Sequence, residues 1–112
     1  MVITFRNGKL EKAFNKRSEL IRHYGAEQAR LIILRRTQLE AAENLAVMRM
    51  LPKVRAHELK ADRAGQISLD LIHPQRLLIV PDHEETPRKP DGGLDWTKVT
   101  QIMIVGVEDT HD

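Results

Sequence analysis

Beyond Pro52 the apolar residues change from a helical to an alternating period, and that change decides which folds are open to this chain. Ile67, Leu69 and Leu71 alternate with Ser68, Asp70 and Ile72, as a strand with one buried face requires. His73-Pro74-Gln75 supplies a turn, and Arg76 to Val80 returns as a continuous apolar run ended by Pro81. A third run, Val99 to Val107, is apolar on both faces and belongs inside a sheet or under a helix.

The half before Pro52 reads as helical. Ala26 to Met48 carries Leu31, Leu34, Ala41, Ala42 and Leu45 at spacings of three, four and seven, which predicts a long helix with that stripe inward. Arg36 and Glu40 lie four apart on another side and can pair, for about 0.2–0.5 kcal/mol. Arg17 to Tyr24 predicts a short helix stopped by Gly25, the residue best suited to a left-handed cap. Leu10 to Asn15 predicts a helical turn that carries Ala13 and Phe14 inward. Val2 to Arg6 predicts a short strand, closed by an Asn7-Gly8 turn.

The order strand, helices, three strands predicts an α+β fold, with an N-terminal strand and two to three helices packed on a small antiparallel sheet. Residues 1–112 are expected to form a single domain with a modest core. An extended loop over 82–98 interrupts it, marked by Pro87, Pro90, Gly92 and Gly93. Trp96, the only tryptophan, is expected to pack over the core edge.

Composition removes several classes of chemistry. The absence of cysteine rules out disulfides, thiolate metal sites and thiol nucleophiles. The first residues form too short an apolar run for a signal peptide, and no stretch approaches a membrane span, so a cytoplasmic protein without membrane contact is the expectation. Ser18 and Ser68 are the only serines, and neither sits in a Gly-x-Ser-x-Gly elbow. His73, His83 and His111, with Asp70, Asp82 or Asp109 nearby, lack the spacing of a metal site. Neither Asn7-Gly8-Lys9 nor Asp91-Gly92-Gly93 has the spacing of a phosphate-binding loop.

The formal charge is only +2, so charge distribution matters more than its sum. Arg49, Lys53, Arg55, Lys60, Arg63 and Arg76 gather around the hairpin, while acids dominate from Asp82 onward. A solvated basic face is one reading. The other is phosphate chemistry by His57, Lys60, Arg63, Arg76 and His111. Metal-free RNA cleavage needs a base for the 2′-hydroxyl, an acid for the 5′-oxygen and cations for the charge that builds on phosphorus. Histidine suits the first two roles, and arginine and lysine the third.

These residues also form a pattern. Leu59-Lys60-x-Asp62-Arg63-x-Gly65-Gln66-x-Ser68, then Arg76, then Val107-Glu108-Asp109-Thr110-His111 resembles the HigB-type killer toxins of the RelE/ParE superfamily. Members carry a Leu-Lys-Gly-Asp-Arg-x-Gly stretch leading into a strand with Ser, an Arg opening the next strand, and an Asp-Tyr-His ending. The motif covers about the last half of the chain, and the element order nearly all of it.

The resemblance implies a RelE-like microbial RNase-type fold and a ribosome-dependent mRNA endoribonuclease that uses no cofactor. Its implied partners are the ribosome with its mRNA and a cognate helix-turn-helix antitoxin, with operator DNA reached only through the antitoxin complex. By position, His57 matches a family histidine three residues before the catalytic lysine, and Lys60 matches that lysine. Arg76 matches the arginine at the scissile phosphate, and His111 the C-terminal histidine. Lys53, Arg55, Arg63 and His73 are the surrounding RNA-binding candidates. Ile72 stands where ribosome-dependent relatives often have a second strand arginine, with Arg63 or His73 as its candidate substitutes. Thr110 replaces the aromatic before the final histidine. The same superfamily contains gyrase poisons, so a gyrase-inhibiting toxin and a non-catalytic antitoxin- or operator-binding module are the alternatives. The exposed face of Ala26 to Met48 is one surface on which an antitoxin could dock.

Overall fold

The protein is described by a computed structural model covering residues 1–110. β1 (Val2–Phe5) leads through α1 (Gly8–Phe14) and α2 (Arg17–Tyr24) into α3 (Ala26–Ala41). A 3-10 segment, Leu45–Met50, follows, and then β2 (His57–Glu58), β3 (Ile67–Asp70), β4 (Gln75–Pro81) and β5 (Gln101–Asp109). The five strands form one sheet in the order β1-β5-β4-β3-β2. The α+β class holds, and β3, β4 and β5 pair antiparallel in sequence order. Among the described residues no helix is long and apolar enough to cross a membrane.

Two features of the sheet depart from expectation. It is mixed rather than antiparallel, because β1 lies parallel to β5, with Ile3 opposite Ile102 and Phe5 opposite Ile104. Parallel neighbours need a long crossover, and here three helices and three strands intervene. The second departure is β2, whose two residues pair with Ser68 and Ile67 and form the far edge.

The Asn7-Gly8 pair works as a helix start rather than a free turn. The Asn7 side chain accepts from the Leu10 N–H at 2.8 Å, satisfying one of the donors that a helix start leaves unpaired. α3 is shorter than predicted, ending at Ala41, and its buried stripe is turned by about one residue. Gln28, Ala29, Ile32, Arg35 and Leu39 face inward, whereas Leu34 is exposed. The reason is Arg35, which is only 4% exposed. Its Nε donates to the Asp70 carbonyl at 2.8 Å, Nη1 to Gln38 Oε1 at 3.1 Å and Nη2 to the Lys53 carbonyl at 3.4 Å. Burial lowers its pKa from the ordinary arginine value, and Asp70 acts in the opposite direction. Gln28, in the first turn of α3, works similarly. Its amide donates to the Ile72 carbonyl and accepts from the Ile72 N–H. Two polar side chains of α3 therefore tie it to the β3–β4 hairpin. The Arg36–Glu40 pair forms at 3.7 Å.

Side chains of paired strand residues share a face, so the register sorts the sheet into two sides. Ile3, Phe5, Ile67, Leu69, Leu77, Ile79, Ile102 and Ile104 belong to the core under the helices. The irregularity between Leu78 and Ile79 makes Ile104 pair with Ile79 and Gly106 with Leu78, leaving Val105 as an extra residue. Such a bulge switches the side-chain alternation beyond it. Val107 therefore stays on the core side with Leu77, and Glu108 joins Arg76 on the opposite face, which is open at its rim while Ser68 and Leu78 in its middle row are fully buried. Trp96 is 4% exposed and packs as expected, its Nε1 donating to Glu58 at 2.8 Å with Arg49 stacked 3.5 Å above the ring.

Asp82 closes the other end of the open face, accepting from Thr4 Oγ1 and from Gln101 Nε2. The hydrogen bond from Thr4, then that from Gln101, holds its pKa below the ordinary 3.8. The resulting stability is fully present above pH 3.8 and is lost as pH falls through the lower folded-state value. Asp82→Asn is expected to lower the melting temperature at neutral pH, with the gap to wild type closing below pH 3.8 in melts recorded from pH 2 to 7. A gap that did not depend on pH would remove Asp82 from the acid limb.

Candidate nucleic-acid interface on the open sheet face

The open face collects several of the cations singled out in the sequence. Asp70 and Arg76 sit opposite each other in β3 and β4, and Arg76 in turn opposes Glu108 in β5. His57 pairs with Ser68 one row away, on the same face. Two strand spacings and two residues separate His57 from Arg76, which puts their Cα atoms about 12 Å apart. Two long side chains over that span can flank one ribose-phosphate unit.

Each arginine is held by a carboxylate that uses only part of its donor set. Arg76 Nε lies 2.9 Å from Asp70 Oδ1, and no hydrogen bond occupies Nη1 or Nη2 among the described residues. Arg63 Nη2 lies 3.1 Å from Glu108 Oε1, reaching across from the loop between β2 and β3. Arg55 approaches Asp70 at 3.9 Å with a side chain 81% exposed. Guanidinium groups fixed in this way keep N–H donors in a fork that matches two phosphate oxygens. Asp70 and Glu108 offset part of the charge, so the face is a patterned surface and not a uniformly basic one.

His57 is exposed on the edge strand, its Nδ1 3.0 Å from the Arg55 carbonyl and Ser68 Oγ 3.4 Å from both ring nitrogens. A carbonyl only accepts, so the proton of the neutral ring is assigned to Nδ1, and Nε2 is left as the basic nitrogen.

The backbone before and after β2 is shaped to present these groups. Lys53 and Arg55 have φ of 66° and 49°, while Val54 between them is buried and its carbonyl accepts from the Asp70 N–H at 2.7 Å. The two left-handed residues let a buried valine alternate with two exposed cations. Lys60 is exposed at the mouth of the β2–β3 loop, where its carbonyl accepts from the Arg63 N–H at 3.1 Å. Its ammonium makes no ion pair among the described residues. His73 is exposed in the turn between β3 and β4, whose His73–Pro74 bond is cis. His111 lies outside the described residues. Among the described residues no three His, Asp or Glu side chains converge as a metal site would require.

Ala61 has a φ of 56°. For a residue with a Cβ this left-handed conformation costs about 1–2 kcal/mol, which glycine avoids at an entropic cost of about 0.5–1. Glycine is what the HigB-type motif carries between its Lys and its Asp. Ala61→Gly is therefore expected to raise stability by about 0.5–1 kcal/mol, read as an increased denaturant midpoint with unchanged slope. A decrease would show that Ala61 is not strained.

Comparison of the chain with protein-family models, curated proteins and solved structures finds no match.

Three residues of the face were named in the sequence without being assigned to the site. Asp70 and Glu108 hold the arginines, and Ser68 contacts His57. Asp70 was findable, because a turn centred on His73 makes residues 70 and 76 partners. Glu108 was not, because its side depends on the bulge at Val105.

Proposed function

We propose that this chain is the toxin of a type II toxin–antitoxin pair, of the HigB type with a RelE-like fold, and that it cleaves mRNA on the ribosome. The observation that carries the reading is the gathering of His57, Arg63 and Arg76 at one sheet face, with arginine donors left unoccupied among the described residues. The left-handed Ala61, at the place of the family's glycine, supports the resemblance independently.

In this reading the face cradles the phosphate without a metal. His57 Nε2 takes the proton of the 2′-hydroxyl, and the 2′-oxygen forms a bond to phosphorus as the bond to the 5′-oxygen breaks. Arg76 and Arg63 hold the non-bridging oxygens while negative charge accumulates there. Lys60 or His111 gives the departing 5′-oxygen its proton, leaving a 2′,3′-cyclic phosphate and a 5′-hydroxyl. Lys53, Arg55 and His73 serve the flanking phosphates. A cytoplasmic site of action and a neutralising helix-turn-helix antitoxin belong to the same reading.

The test is induced expression of the chain, followed by mapping of transcript ends. Growth arrest with cuts inside translated codons, bearing 5′-hydroxyl ends, is the expected result. Arrest with intact mRNA and broken DNA would point to gyrase, and no arrest would leave a binding module. Either result would overturn the proposal.

A further inference from the structure

A second basic surface lies away from the open face, between α1, α2, the end of β1 and the bulge in the middle of β5. It is an open groove of about 700 Å³. Half-buried Leu10, Ala13, Tyr24 and Val105 supply its apolar surface. Arg6, Lys9, Lys12 and Lys16 line it as exposed cations, and none has a carboxylate within ion-pair distance among the described residues. The one acid in the lining, Glu19, is already taken, 2.8 Å from Arg22 and 3.6 Å from His23. The groove therefore presents four cations without an ion-pair partner among the described residues, of which only Lys16 is near enough to Glu19 to act on its charge, beside an apolar trough.

We propose that this groove docks an acidic amphipathic helix of a partner protein. Apolar residues at helical spacing would fill the trough, and flanking carboxylates would meet Lys9, Lys12, Lys16 and Arg6. The apolar surface decides for a peptide over a nucleic acid. Leucine, alanine and valine give bases nothing to stack on, and Tyr24 is the only aromatic ring there apart from His23. Lysines suit the task, since an ammonium follows a mobile carboxylate without demanding a fixed fork. The bulge adds a structural reason: Val105, the extra residue of β5, is part of the lining. The inference does not rest on RNA cleavage, because His57, Lys60, Arg63 and Arg76 take no part in the lining.

The test is fluorescence anisotropy with the full chain and a labelled synthetic helix, with Leu at the i, i+3, i+4, i+7 positions and Glu elsewhere. Saturable binding is expected, weakened about tenfold by the double variant Lys12→Glu/Lys16→Glu and to a similar degree by exchanging the peptide leucines for serine. Both lysines are exposed, so an unchanged melting temperature separates loss of docking from loss of fold. No saturable binding, or binding indifferent to both changes, would overturn the proposal. So would a single-stranded RNA of matched charge that binds more tightly than the peptide and is the ligand lost in the double variant.

Discussion

Replacing Arg35 by alanine is expected to lower the unfolding free energy by about 3–5 kcal/mol, the combined cost of a core cavity and of buried acceptors left without donors. The side chain is 4% exposed and its three hydrogen bonds tie separate parts of the chain together. Asp70 is the last residue of β3, Lys53 belongs to the left-handed segment before β2, and Gln38 lies one turn further along α3. The truncation leaves two carbonyls and an amide oxygen short of a donor, and it opens a cavity beneath α3. A domain of this size is commonly stable by about 5–15 kcal/mol, so the variant would sit near the edge of folding. Arg35→Lys keeps the charge and the stem but not the fork, and a loss of about half the alanine effect is expected. Urea unfolding of both variants checks the order. An alanine variant within about 1 kcal/mol of wild type would mean that water replaces the guanidinium and that Arg35 does not anchor the hairpin.

Arg35 also shows where sequence pattern stops. The β3–β4 hairpin is legible because its alternation, turn and return lie within fifteen residues, and the pairing of Asp70 with Arg76 follows from the turn itself. The inward face of α3 is not legible by the same means. An arginine is counted as polar by any periodicity, yet here it is buried because two carbonyls from distant segments converge on it. Within α3 the apolar stripe is therefore read about one residue out of place, with Leu34 and Ala41 exposed, whereas Ala42 and Leu45 beyond the helix are buried as read. The parallel pairing of β1 with β5 is equally hidden, since nothing local links Ile3 to Ile102 across the chain. The candidate site divides along the same line. His57 and Arg76 were legible as residue types near a hairpin, but their common face required a strand at His57–Glu58 too short to show alternation. The Arg63–Glu108 pair required both the loop that carries Arg63 and the bulge that turns Glu108 outward. Lys60 was legible as a motif residue, and it enters the loop without entering the ion-pair network.

On the proposed function, Arg76→Ala is expected to lower the rate of mRNA cleavage on programmed ribosomes by about 10²–10³-fold, as loss of a fixed transition-state donor does. Arg76 has the geometry for that role. Asp70 holds Nε at 2.9 Å, which fixes the plane of the guanidinium and, among the described residues, leaves both terminal nitrogens for a phosphate. Lysine at the same position retains charge but loses the paired donors, so Arg76→Lys is expected to recover only a small part of the rate. Glu108→Gln separates positioning from charge. It releases Arg63 from its ion pair and adds positive charge to the face, so tighter binding with steeper salt dependence is expected. If Arg63 must be held in place to act, cleavage by this variant falls although binding rises. Single-turnover rates beside binding measured over a range of salt distinguish these outcomes. The stability cost of Arg76→Ala is expected to stay near 1 kcal/mol, because its partner Asp70 is partly exposed and keeps Arg55 within reach. An Arg76→Ala protein that still cleaves at the wild-type rate would take the phosphate away from this face and leave the two carboxylate–arginine pairs as fasteners of the sheet.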